Sequence, residues 1–242
     1  MARVALLVTC VVDVLAPEVG EAAVSVLRAA GHEVTFDPDQ TCCGQPAWNA
    51  GHATAAADVA RTTLAAMERE LDRGADVVVV PAGSCAAMVR IGWPELFRVV
   101  GDEATAVRAE AVAARTKELT EALAAGELPS VPPTRVAVHH SCHLLRELRV
   151  RVDDVLTGVE GCEVVDWPDG ERCCGFGGMF SVALPEVSEA MADQKLGSLP
   201  DVDAVVSADQ SCLVHLRSRA ETTGAAGGAC FEHVAQLLER RA

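Results

Sequence analysis

Gln40-Thr41-Cys42-Cys43-Gly44-Gln45-Pro46-Ala47 is answered 131 residues further on by Cys173-Cys174-Gly175-Phe176-Gly177-Gly178. Each Cys-Cys-Gly lies between two lone cysteines at nearly equal distances. The order is Cys10, Cys42-Cys43, Cys85 in the first half and Cys142, Cys173-Cys174, Cys212 in the second. The leading gaps are 32 and 31 residues and the trailing gaps 42 and 38. A repeat that keeps its thiols in register while the rest of the sequence drifts predicts a duplicated domain, each copy converging four sulfurs on one place. Inside a cell, four converging thiolates hold an iron–sulfur cluster or zinc.

At 242 residues the chain is long enough for two domains, each with its own core. Twenty Lys and Arg stand against 35 Asp and Glu, a formal charge of −15. With no basic run, this composition excludes nucleic acid as a partner, since phosphate binding needs concentrated positive charge. It suits a basic protein surface instead. The apolar start at residues 4–12 is too short for a secretory core, and Pro17 spoils the cleavage site, so a buried first strand is expected. No stretch reaches 18 uninterrupted apolar residues, which predicts no membrane span. A cytoplasmic location follows as the expectation, and there ten cysteines argue for metal over disulfides.

Hydrophobic periodicity predicts strands at 3–9, 32–36 and 77–80, helices at 17–30 and about 46–73, and a short helix through Met88 and Ile91. The second half repeats the order: strands at 135–139, 163–167 and 204–207, helices at 144–156 and about 185–199. A polar helix is expected at 102–125, a Pro-rich linker at 126–133, and a single packing helix at 231–238. The fold class expected is α/β: two similar Rossmann-like cysteine-rich domains, 1–127 and 134–242, arranged as an internal pseudo-dimer. Both halves place their cysteines just after the C-terminal ends of strands, the edge where parallel sheets bind ligands.

The glycine after each pair fits a need for positive φ or for close backbone approach to an inorganic core. Zinc ribbons pair their ligands as C-x-x-C, which is lacking here, and so is the ferredoxin run of closely spaced cysteines. One or two iron–sulfur clusters are therefore expected, with zinc in one half as the open alternative. The Gly175-Phe176-Gly177-Gly178 loop lacks the full G-x-G-x-x-G spacing of a dinucleotide site. Cys85 and Cys212 each begin a predicted helix, whose positive end favours a thiolate. Three residues on stand Met88, expected in the core, and His215, a candidate further ligand. His139, His140 and His143 surround Cys142 with roles left open. Cys162 and Cys230 have no counterparts in the first half and are expected to be small core residues.

The segments Val8-Thr9-Cys10, Pro17-Glu18-Val19-Gly20, Gln40 to Ala47, Gly83-Ser84-Cys85, His140-Ser141-Cys142-His143 and Cys173 to Gly178 together resemble the cysteine-rich, or CCG, domain family. That family includes the B subunit of heterodisulfide reductase and the iron–sulfur subunit of glycolate oxidase, and the resemblance narrows on its lactate-utilization branch. It implies a cytoplasmic subunit of a complex oxidising L-lactate to pyruvate, alongside a ferredoxin-like iron–sulfur subunit and a third subunit. It also implies a [4Fe-4S] cluster held by Cys10, Cys42, Cys43 and Cys85, or by Cys142, Cys173, Cys174 and Cys212, or one in each half. The fuller family pattern ends in C-x-x-C, whereas here the last positions are Met88 and His215, leaving four cysteines per set. The expected function is electron transfer within that complex, with oxidoreductase activity only in the assembly. A thiol–disulfide oxidoreductase and a zinc-stabilised scaffold are the alternatives.

Overall fold

The computed structural model describes residues 1–124, 126 and 128–240, so the boundaries expected at Ala125, Glu127 and Ala242 lie outside the described residues. The chain divides into two compact units, Met1–Ala122 and Leu123–Ala242. In the first, β1 (Arg3–Leu6) leads through α1 (Cys10–Leu15) and α2 (Pro17–Ala29) to β2 (Glu33–Thr35). The Cys-Cys-Gly turn then opens α3 (Gln45–Asn49), followed by α4 (Ala53–Asp72), β3 (Val77–Val80) and α5 (Gly83–Ala87). A π-helical turn over Met88–Gly92 runs into α6 (Trp93–Val99), α7 (Glu103–Ala113) and β4 (Thr116–Glu118). The four strands form one parallel sheet in the order β2-β1-β3-β4.

After α8 (Leu119–Leu123) the second unit follows the same plan. β5 (Thr134–Val138) is followed by a π-helical turn at Leu144–Leu148, α9 (Val152–Leu156) and β6 (Cys162–Val165). Then come α10 (Met179–Ala183), α11 (Pro185–Leu196), β7 (Ala204–Ser207), α12 (Gln210–Thr223), β8 (Cys230–His233) and α13 (Val234–Glu239). Its sheet is again parallel, in the equivalent order β6-β5-β7-β8. Ala5 stands beside Val78 in one sheet as Ala137 stands beside Val205 in the other. All four are essentially inaccessible, as residues of the apolar central strands of a buried parallel sheet should be.

Four expected elements are drawn differently by tertiary forces. The helix at 46–73 is two helices, broken at Gly51 with φ +82°. The helix at 144–156 is interrupted at Arg149, a non-glycine residue at φ +57°. The polar helix at 102–125 stops at Ala113 because residues 116–118 join the sheet edge, with Thr116 and Glu118 buried and Lys117 exposed. Two of those three inward or outward positions are charged, so an apolar pattern search passes over them. Buried polar groups are tolerable there because each finds a partner: Thr116 Oγ1 donates to the Val112 carbonyl at 2.8 Å, and the Glu118 carboxylate accepts the Thr120 N–H at 2.7 Å. The helix at 231–238 likewise begins as strand β8, and His233 ends it by capping α13, accepting the Ala235 N–H at Nδ1 (3.1 Å) while Gln236 accepts the His233 N–H (2.9 Å).

Because Leu64 on α4 is wholly buried while Val182 on α10 is largely exposed, Leu64→Ala should cost about 2–5 kcal/mol and Val182→Ala no more than about 0.5 kcal/mol. Equilibrium denaturation of the reduced, metal-free chain measures both, and equal losses would refute this placement of the first core.

Candidate metal centre

Each set of four cysteines is assembled by three turns at the C-terminal edge of its sheet. In the first unit, Cys10 opens α1 behind the Thr9 cap, Cys42 and Cys43 follow the loop after β2, and Cys85 lies in α5 after β3. Their sulfurs touch in sequence order: Cys10 Sγ lies 3.4 Å from Cys42 Sγ, Cys42 and Cys43 are hydrogen-bonded neighbours, and Cys43 Sγ lies 3.3 Å from Cys85 Sγ. In the second unit Cys142 and Cys174 each donate a hydrogen bond to Cys173, and Cys174 is hydrogen-bonded to Cys212, the same chain of contacts. All ten cysteines are free thiols. Cys43 and Cys174 are buried while the other six members of the sets are half-buried.

The turn geometry explains the Cys-Cys-Gly spelling. Gly44 has φ +84°, and a Cβ there would sit 2.7 Å from the Ala56 carbonyl oxygen in α4. Gly175 has φ +92°, and a Cβ there would collide with the Ser188 carbonyl oxygen in α11. Only glycine allows both the left-handed backbone and the close approach. The turns also aim N–H groups at sulfur: Gly44 donates to Cys42 Sγ at 3.4 Å, Gly175 to Cys173 Sγ at 3.4 Å, and Phe176 to Cys174 Sγ at 3.5 Å.

Side chains fix these turns from behind. Thr63 donates to the Cys42 carbonyl at 3.0 Å, and the buried Trp93 indole donates to the Cys43 carbonyl at 2.8 Å. Gln45 donates to the Ser84 carbonyl at 3.0 Å, tying the pair to the Cys85 turn. Upstream, Arg69 on α4 grips the buried Asp37 carboxylate through two hydrogen bonds of 2.9 Å. That guanidinium holds the Asp37 carboxyl below its usual range, against the opposing effect of burial. In the second unit Lys195 on α11 is fully buried and donates to three loop carbonyls, those of Asp169, Gly170 and Arg172, with its ammonium 4.2 Å from the Trp167 ring centre. Burial pushes Lys195 down to about 8, while the nearby Cys174, Cys212 and Asp169 side chains pull the other way.

The protons within each set sort along the contact chain. Cys42 is lowered because Cys10 and then Cys43 donate to it, and Cys173 because Cys142 and then Cys174 donate to it. Cys10, Cys43, Cys142 and Cys174 are raised in turn, each chiefly as the donor to that thiolate. Hydrogen bonding within each set thus favours the thiolate at Cys42 and at Cys173, and metal binding would release the protons that remain. Four contacting sulfur donors, with backbone N–H groups directed at them, fit an iron–sulfur cluster or a thiolate-bound metal ion.

The histidines separate into distinct environments. His143 Nδ1 meets Glu147 at 2.7 Å, and His140 Nε2 faces Arg151 and Asp153 at 3.4 and 3.5 Å. His215 Nε2 meets Ser188 Oγ at 3.2 Å, and that hydroxyl in turn donates to the Gly175 carbonyl at 2.8 Å. His139 is the imidazole that comes up to the sulfurs: its ring, Cys174 Sγ and Cys212 Sγ offer ligand atoms all within 4.8 Å of one another. Burial holds His139 well below the usual imidazole range, Lys195 and His140 adding to the effect. Its position directly after a buried strand and three residues before Cys142 was the signal in the sequence. Met88 is buried as expected. Cys162 is half-buried beside Glu232, and Cys230 is exposed near Arg240, so the expectation of a core residue fails for Cys230 because β8 is the edge strand of its sheet.

The family described as Cysteine-rich domain, CCG, matches residues 4–90 and 136–217. Lactate utilization protein A of Exiguobacterium sp. is 38% identical over 232 residues, spanning 93% of this chain and 92% of that protein. The protein of that name from Bacillus velezensis is 37% identical over 247 residues, spanning 99% of this chain and all of the relative. Among solved structures, an aspartate racemase homologue from Pyrococcus horikoshii OT3 aligns over 99% of this chain and 96% of its own at 11% identity and a TM-score of 0.32, too distant to bear on fold or function.

The Asp37 and Arg69 pair makes a pH prediction. Its folded carboxyl lies below the unfolded value of about 4, so the stability it contributes is complete above that value and is lost as pH falls through the lower folded one. Asp37→Asn should remove that part of the acid dependence. An acid-unfolding profile of the metal-free chain identical to that of the unsubstituted protein would rule the pair out as the anchor.

Proposed function

The chain belongs to the cysteine-rich domain, CCG, family, and from that membership we propose that it serves lactate utilization as the iron–sulfur electron-transfer subunit of a complex oxidising L-lactate to pyruvate. The observation that carries the reading is the unbroken contact chain of four thiols in each unit. The name shared by relatives that align along nearly the whole chain supports the substrate. We assign Cys10, Cys42, Cys43 and Cys85, and Cys142, Cys173, Cys174 and Cys212, as ligands of one or two [4Fe-4S] clusters within domains 1–127 and 134–242. The matching strand orders of the two sheets support reading these domains as a Rossmann-like pseudo-dimer.

A bound iron–sulfur cluster supplies one-electron chemistry. The protein's part is to provide thiolates and to direct the Gly44, Gly175 and Phe176 N–H groups at them, which disperses thiolate charge and raises the reduction potential. Lactate oxidation releases two electrons and two protons, and in this reading partner subunits, one ferredoxin-like, deliver or receive those electrons. A formal charge of −15 supports docking to partners with basic surfaces. No helix among the described residues is long and apolar enough to cross a membrane, and a cytoplasmic site of action would keep the free thiols reduced.

Anaerobically purified protein should contain iron and acid-labile sulfide. Cys43→Ser and Cys174→Ser should each lose or convert a cluster, while Cys162→Ala and Cys230→Ala keep the iron; folded, colourless protein holding zinc alone would end the iron–sulfur reading. In a lactate-to-dye assay the isolated chain should be inactive, turnover should appear with the partner subunits, and assembly should weaken as salt screens exposed charge over about 8–10 Å. Full turnover by the chain alone, or reduction of a disulfide by it, would instead favour an enzyme with its own substrate site.

A further inference from the structure

His139 takes the place in the second unit that Leu7 takes in the first. Each follows the last residue of the first strand of its unit, Val138 or Leu6, and each donates its backbone N–H to the neighbouring strand: His139 to the Val206 carbonyl at 2.8 Å, Leu7 to the Val79 carbonyl at 2.9 Å. Each also stands three residues before the first cysteine of its set. Leu7 is buried, as an apolar side chain at the end of a central strand should be. His139 is just as buried, and neither of its ring nitrogens makes a well-formed hydrogen bond among the described residues, its polar neighbour being the Gly170 backbone.

Native interiors pair nearly all their buried polar groups, and the exceptions call for a ligand or a function. For His139 the ligand's position is marked by the mutual approach of its ring to Cys174 Sγ and Cys212 Sγ. Of the neighbouring imidazoles, His140 turns its Nε2 to Arg151 and Asp153 and keeps only Nδ1 unpaired, and His215 meets Ser188. A neutral imidazole beside thiolates is a donor set suited to zinc, cobalt or iron.

We infer that His139 is a nitrogen ligand of the metal centre held by the second cysteine set, so that this centre is mixed in donor type while the first is all-sulfur. The inference rests on the reading of the cysteine sets as metal sites, but not on the metal being iron.

The test uses the full chain, reduced and metal-free, with Cys42→Ser and Cys43→Ser introduced to silence the first set and cobalt(II) as the probe. X-ray absorption at the cobalt edge should show imidazole scattering along with sulfur. His139→Leu, which copies the residue at the equivalent position of the first unit, should remove the imidazole signal and weaken cobalt binding by about tenfold or more. It should leave the melting temperature of the metal-free chain unchanged or raised, because it deletes an unpartnered polar group; His215→Leu should keep the imidazole signal. Cobalt bound through sulfur without imidazole, or His139→Leu binding with unchanged affinity and spectrum, overturns the inference. A metal-free melting temperature lowered as much as that of the loaded protein overturns it too, since the histidine would then be structural. If imidazole scattering is present but anaerobic reconstitution with iron and sulfide fails, the iron–sulfur reading falls and the inference stands; if the second set binds no metal at all, both fall.

Discussion

The contact between each Cys-Cys-Gly corner and the helix that follows it is the constraint on which the rest of each unit depends. Gly44 rests against the Ala56 carbonyl in the first turn of α4, and Gly175 against the Ser188 carbonyl in the first turn of α11. With no side chain between turn and helix, the paired sulfurs are pushed outward over the C-terminal edge of the sheet. There the lone cysteines after the two central strands of each sheet meet them. Replace either glycine with a residue bearing a Cβ and the turn must retreat from its helix, carrying two of four sulfurs out of contact. The parallel sheet supplies the edge, the glycine supplies the approach, and the thiols converge as a consequence.

Holding such a turn requires its approach loop to be anchored to the same helix, and the two units solve this with opposite chemistry. In the first, a buried carboxylate on the loop is gripped by a half-exposed guanidinium on α4, so the charge is balanced within the pair. In the second, the helix residue is a buried ammonium that gathers three backbone carbonyls and a tryptophan face, with no carboxylate oxygen hydrogen-bonded to it. Lys195, met in part by the nearby Asp169 carboxylate, places a positive charge beside Cys174 and Cys212, a favourable counter-charge for thiolates and for an anionic centre built on them. The same mechanical task therefore leaves the second set in a more positive environment.

The cysteine sets were legible in the sequence because spacing survives divergence: a thiol that must reach a shared point cannot drift along the chain. The central strands were legible because a strand buried on both faces, such as Val77–Val80, must be apolar throughout. What escaped were elements whose stability comes from neighbours. β4 and β8 are edge strands carrying buried Thr116, Glu118, Glu232 and His233, and their polar side chains make sense only once capping and side-chain partners are in place. His139 escaped as a specific candidate for a similar reason. Three histidines cluster around Cys142 in the sequence, and beyond the place of His139 at the strand end it is their separate burial and partners that tell them apart.

Duplication produced two sites with one architecture, but nothing requires them to stay chemically alike. Leu7 and His139 are equivalent in backbone and burial, so the exchange of one for the other changes the donor set without disturbing the scaffold. Lys195 adds positive charge on the same side of the same unit, and Phe176 adds a backbone N–H onto Cys174 with no counterpart on Cys43 among the described hydrogen bonds. The Lys195 charge and the Phe176 N–H make the second site more tolerant of negative charge.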